Sequence, residues 1–156
     1  MNDTFRQYVD ALHPALERLV ASVPFKYADL SHQTLPKRGL YLFSEGGKHL
    51  YAGRSDDLRK RLGMHCQRSA QHNQATFAFR LAKEMCGITK ASYKPKGSRA
   101  DLVSKDPLKS VFEAQKQRVR QMEIRLIEEA DANRQALLEM YISFALGTPY
   151  NDFNNH

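Results

Sequence analysis

The chain has 156 residues, enough for one compact domain that buries a core without disulfide or metal staples. Its 42% hydrophobic and 26% charged residues are ordinary for a globular protein. No apolar run approaches the roughly 20 residues that span a bilayer, so no membrane partner is expected. The start, Met1-Asn2-Asp3-Thr4, lacks the basic and apolar stretches of a secretory signal. Cys66 and Cys86 form neither a framework nor a CxxC pair. Together these features predict a cytoplasmic protein with two reduced thiols.

The formal charge of +7 is unevenly spread. Residues 1–38 carry five basic and four acidic side chains, residues 39–127 eighteen and eight, and residues 128–156 one and five. A central basic block is what a polyanion-binding surface requires, because each neutralised phosphate releases counterions. A solubilising surface gives the same count.

In chain order, the spacing of Phe5, Tyr8, Val9, Leu12, Leu16, Leu19 and Val20 predicts a helix over 4–22. Thr4 and Gln7 would form its capping box, and Pro14 would kink or divide it. Residues 23–38 read as irregular, punctuated by Pro24 and Pro36. Gly39–Phe43 and His49–Gly53 read as the arms of a β-hairpin around Glu45-Gly46-Gly47-Lys48. A helix is expected from Asp57 to Cys66, capped by Ser55 or Asp56, with Leu58 and Leu62 inward.

Gln74–Met85 should form a further helix burying Ala78, Leu81, Ala82 and Met85, stopped by Gly87. Residues 88–106 read as a loop, and Asp106-Pro107 opens the next helix. Met122, Ile124 and Leu126 alternate with polar residues as in a strand. Asp131 can cap a last helix over 132–146 that ends at Gly147-Thr148-Pro149, and the tail from Tyr150 folds back or frays. The fold class that follows is α+β: a small mixed or antiparallel three-stranded sheet, the hairpin plus a later strand, covered by helices. One domain over 1–156 would hold it. Its parts are an N-terminal helical extension (1–38), a core (39–65), a basic helical insertion (66–118) and a closing strand and helix (119–156).

There is no zinc-spaced cysteine or histidine cluster and no nucleophile elbow. The paired acids Asp56-Asp57 and Glu128-Glu129 are better explained by capping and exposure than by acid–base work. One constellation stands out. Arg61 and His65 lie one helical turn apart, Arg54 precedes that helix, and Tyr41 and Tyr51 can share one side of the hairpin. With the helix N-terminus, these groups could surround one phosphate.

Gly39-Leu40-Tyr41, nine residues, then Tyr51-Ala52-Gly53-Arg54-Ser55, Leu58 and Lys60-Arg61-Leu62 resemble the signature of GIY-YIG nucleases and its following helix. His65 matches a histidine that several members carry. Glu139 and, twelve residues on, Asn151 in Pro149-Tyr150-Asn151 resemble the family's metal-binding glutamate and structural asparagine. The likeness covers 39–65 and 139–151. Leu40 and Ala52 stand in place of isoleucines, the hairpin gap is slightly short, and about sixty residues separate Arg61 from the third strand, more than in a minimal module. Arg54 replaces a lysine common in the family and cannot be deprotonated to act as a base.

The resemblance implies a metal-dependent endonuclease holding one Mg²⁺ or Mn²⁺ ion at Glu139. It favours DNA over RNA as substrate. In this reading Tyr41 accepts the proton of the attacking water, helped by the positive charge of Arg54. Tyr51 and His65 orient water or phosphate, and Arg54 and Arg61 bind phosphate, Arg61 with its forked donors. Gly53 and Asn151 serve structure at the site. Lys90, Lys94, Lys96, Arg99, Lys105 and Lys109 are candidates for added backbone contacts. A non-catalytic nucleic-acid-binding module and a protein-interaction domain are the alternatives. The latter would use the first helix and the helix over 107–118.

Overall fold

The computed structural model describes residues 1–88 and 107–153. They fall into two compact units: residues 1–61 with 122–156, and residues 62–121. No helix among the described residues is long and apolar enough to cross a membrane.

The first unit begins with α1, Asp3–Ala21. Its cap is Asn2, whose side chain accepts from Phe5 N, not the expected Thr4. Asn2 wins because it stands outside the helix, where a side-chain oxygen can fold back onto a free amide. Pro14 does not divide α1, which runs through it as one element. Residues 23–38, expected to be irregular, contain a 3₁₀ turn, Tyr27–His32. There Phe25 and Ile124 exchange two backbone hydrogen bonds, 3.0 and 2.7 Å long.

Strands β1 (Gly39–Glu45) and β2 (Lys48–Ser55) form the hairpin. Gly46 and Gly47 have φ of 58° and 78°, the double positive φ of a two-residue hairpin turn. Helix α2 covers Leu58–Cys66. Ser55 Oγ accepts from Asp57 N and Asp57 Oδ1 from Lys60 N, so Asp57 caps α2. Asp56, the other expected cap, instead holds Arg38 at 2.8 Å. The third strand, β3 (Glu123–Glu128), pairs with β1, giving an antiparallel sheet of order β2-β1-β3.

As the central strand, β1 is covered on both faces and reads as an apolar run, not an alternation. On one face Leu40 and Leu42 join Ala52 and Ile127. Helix α1 supplies Ala15, Leu16 and Leu19 to this core, and the last helix supplies Leu138 and Ile142. That last helix follows Asp131, which caps it through Arg134 N, and ends at Gly147 with φ 64°. Glu129 grips Arg134 through both oxygens, an ion pair in place of the capping or exposure expected of it. The opposite sheet face carries Tyr41 and Phe43, with rings edge to face at 5.8 Å.

In the second unit α3 (Thr76–Met85) packs Phe79 edge-on against Phe112 of α4 (Leu108–Arg120), centroids 5.9 Å apart. The last helix, Ala132–Leu146, is therefore α5. Met85, expected in the core, is 64% exposed because it sits in the final turn, next to the Gly87 stop at φ 71°. Lys116 of α4 is buried. Its Nζ donates to the carbonyls of Arg68 and Ala70 at 2.8 and 2.9 Å and pairs with Glu113. Burial pushes the Cys66 thiol up to about 12, so it stays protonated. The loop expected over 88–106 lies, from residue 89 on, outside the described residues, as do Lys90, Lys94, Lys96, Arg99, Lys105 and Asp106.

Candidate active site

Register places the two phenols. Tyr41 is opposite Gly53 and Phe43 opposite Tyr51, so the pleat turns Tyr41, Tyr51 and Gly53 to one face. The Tyr41 and Tyr51 ring centroids are 6.3 Å apart. Glycine is required at 53 because the Tyr41 ring lies across it: a Cβ there would overlap the phenol carbon and oxygen.

Arg61, on α2, donates from Nε to the Tyr41 hydroxyl at 3.4 Å and also hydrogen-bonds Tyr51. Burial opposes its charge, but the two phenol oxygens outweigh that and raise its pKa. At the α2 N-terminus, expected to favour an anion, three amides have partners. Leu58 N donates to Lys37 O, Lys60 N to the Asp57 side chain and Arg61 N to Asp57 O.

Glu139 approaches from α5. Its carboxylate meets Arg54 Nε at 3.0 Å, with the two side chains 22% and 45% exposed. Burial raises the Glu139 pKa, while Arg54 and Arg61 pull it down. Tyr41 does not gain the help expected from Arg54, whose guanidinium is spent on Glu139. Instead burial, with Tyr51 and Glu139 adding to it, raises the Tyr41 pKa well above the ordinary phenol value. Only Arg61 opposes. Tyr41 therefore rests protonated.

Asn151 performs the structural task expected of it by an unforeseen route. Its Oδ1 accepts from Ala52 N at 2.8 Å and its Nδ2 donates to Ala52 O at 2.7 Å. Thr148 Oγ1 also donates to Oδ1, and Tyr150 N to Leu50 O. The side chain thus completes the outer edge of β2 like a one-residue strand, and the tail folds back.

Tyr41, Tyr51, Arg54, Arg61 and Glu139 thus converge within the first unit, from β1, β2, α2 and α5. His65 is fully buried one turn beyond Arg61, among the residues of the second unit. Nothing matches. Comparison of the chain with family models, with curated proteins and with solved structures finds no similar family, relative or fold.

For a hard cation the site offers one carboxylate, Glu139, now paired with Arg54. Among the described residues no three histidines, cysteines or acids gather at one place. A metal here would bind the Glu139 carboxylate and complete its shell with water and substrate oxygens, the habit of Mg²⁺. The upward pull of burial on Glu139 is a reason for it to favour a positive neighbour, a part now filled by Arg54.

Proposed function

We propose that the protein is a GIY-YIG-type endonuclease that hydrolyses nucleic-acid phosphodiesters, DNA first among them, with one Mg²⁺ or Mn²⁺ ion at Glu139. The supporting observation is the convergence of two phenols, two guanidiniums and one half-buried carboxylate from four separate elements. When bound, the ion supplies Lewis-acid stabilisation of the departing 3′ oxygen.

The side chains divide the remaining work. Arg61 turns its forked donors to the non-bridging oxygens, where charge grows in the transition state. Tyr41, buried and protonated, donates its O–H to a phosphate oxygen. Tyr51, half-buried on the same face, receives the proton of the attacking water as its phenolate, its own proton having gone to solvent beforehand. This exchanges the parts that the family resemblance gives the two tyrosines. Arg54 releases Glu139 to the ion and turns to the phosphate. His65, buried one helical turn beyond Arg61 on α2, is given no separate step in this scheme.

The test is cleavage of labelled single-stranded and duplex DNA and RNA by the purified protein in Mg²⁺ or Mn²⁺, with EDTA as control. Metal-dependent cutting that Glu139→Gln abolishes, with binding retained, is expected. Equal cutting in EDTA would remove the metal from the proposal. Binding with no cutting in either metal would leave the non-catalytic binding module instead.

A further inference from the structure

The two units differ sharply in charge. Residues 62–121 hold twelve lysines and arginines against four acids, net +8, and the rest of the chain holds twelve against thirteen, net −1. The whole surplus of the protein therefore belongs to the second unit. In the first, Arg38, Arg54, Arg125 and Arg134 each face a carboxylate, and Arg59 donates to the carbonyls of Leu30 and Gln33. A neutral unit whose guanidiniums are largely engaged at home is a poor source of the counterion release that dominates affinity for a polyanion.

We infer that residues 62–121 are the substrate-holding unit, gripping the phosphate backbone of nucleic acid without regard to sequence, while the first unit carries the chemistry. The inference rests on the nucleic-acid partner named above, not on the cleavage step.

Six of the seven described cations of this unit, all but Arg80, can be followed. Lys116, Arg118 and Arg120 are spent internally, on the Arg68 and Ala70 carbonyls, the Gln115 side chain and the Cys66 carbonyl. Arg68 and Lys109 are exposed, and among the described residues neither makes an ion pair or side-chain hydrogen bond. Lys83 stands over the Phe79 ring at 5.1 Å and is half-exposed. Their backbones are fixed: Lys116 pins the Arg68 carbonyl, and the Phe79–Phe112 contact joins the helices bearing Lys83 and Lys109. Buried lysine thus serves as the frame, and Arg68 and Lys109 stand exposed on it.

The experiment measures binding to a fluorescent single strand and a duplex, each of about 20 nucleotides or base pairs, in EDTA and across about 0.05 to 0.3 M salt. The triple variant Arg68→Gln, Lys83→Gln, Lys109→Gln is compared with Arg6→Gln, Lys26→Gln, Lys48→Gln, which removes the same charge from exposed sites of the first unit. Three lost phosphate contacts should flatten the log–log salt slope by about two to three and weaken binding at least about tenfold near 0.1 M salt. The first-unit triple should stay within about threefold. Equal weakening by both triples would mean that bulk charge alone is at work and would overturn the assignment. So would an unchanged slope in the second-unit triple, or a parent protein that does not bind. A protein that binds as described but never cuts would sink the nuclease reading and leave this one standing.

Discussion

The Tyr41 ring rests on Gly53 of the neighbouring strand, filling the space that any side chain at 53 would occupy. Tyr41 is 1% exposed and tied to Arg61, so it cannot swing aside without losing that bond. Gly53→Ala should therefore cost about 1–3 kcal/mol by overpacking. For a chain of this length that lowers Tm by roughly 3–10 °C. Cleavage should fall with it, because the displaced phenol belongs to the site. A melt and a cleavage assay check both, and a variant that melts and cuts like its parent would show the ring seated elsewhere.

Asn151→Ala should loosen β2 from outside. The substitution strands the Ala52 N–H and C=O at the sheet edge, a penalty of about 1–3 kcal/mol where water cannot fully replace the amide. Asn151→Asp should not rescue it, since a carboxylate has no N–H for the Ala52 carbonyl. Hydrogen exchange gives a local readout: the Ala52 amide should exchange faster in Asn151→Ala while amides in α1 keep their protection. Unchanged protection at Ala52 would contradict the edge clamp.

What the sequence made legible follows from the range of each signal. The hairpin, its Gly-Gly turn, the Asp131 cap and the Gly147 stop are encoded within a few residues, and each stands where expected. The same-face placement of Tyr41 and Tyr51 needs more than pleat periodicity: it depends on the register shift between Phe43 and Ser44. Long-range choices were not readable. That Arg54 would engage Glu139, 85 positions away, depends on where α5 lands against the edge strand. The direction of the Tyr41 pKa depends on burial, which the residue's own surroundings in sequence do not reveal. Gly53 and Asn151 lay between: a glycine within a strand hints at close approach, but only register identifies the ring that approaches.

Glu139 should penalise folding at neutral pH. Its folded pKa is raised by burial above the unfolded value of about 4.3. Below that value both states are protonated and the group contributes nothing. As pH rises towards the folded pKa, the unfolded chain releases its proton first. The native state then loses stability, and the loss persists above the folded pKa. Glu139→Gln removes this term, and the Arg54 left behind is exposed enough to be hydrated. The variant should therefore melt higher than the parent at pH 7, with the gap closing as pH falls to about 4. A Gln variant that is less stable at pH 7 would mean that the Arg54 pair outweighs the burial.

Arg61 separates positioning from charge. Its guanidinium reaches both phenols, so Arg61→Ala removes a donor fork and a cation at once. By analogy with the loss of one preorganised oxyanion donor, kcat should fall about 10²–10³-fold. Affinity for substrate in EDTA should change by less than about threefold, since one phosphate contact is a small share of polyanion binding. Arg61→Lys keeps the charge and loses the planar fork, so it should recover only a fraction of the rate. Two readings of the site divide here. If Lys restores full activity, Arg61 acts as a point charge and the forked clamp is wrong. If Ala leaves kcat intact, the residue is only a prop for the Tyr41 hydroxyl, and the phosphate must be held by other cations.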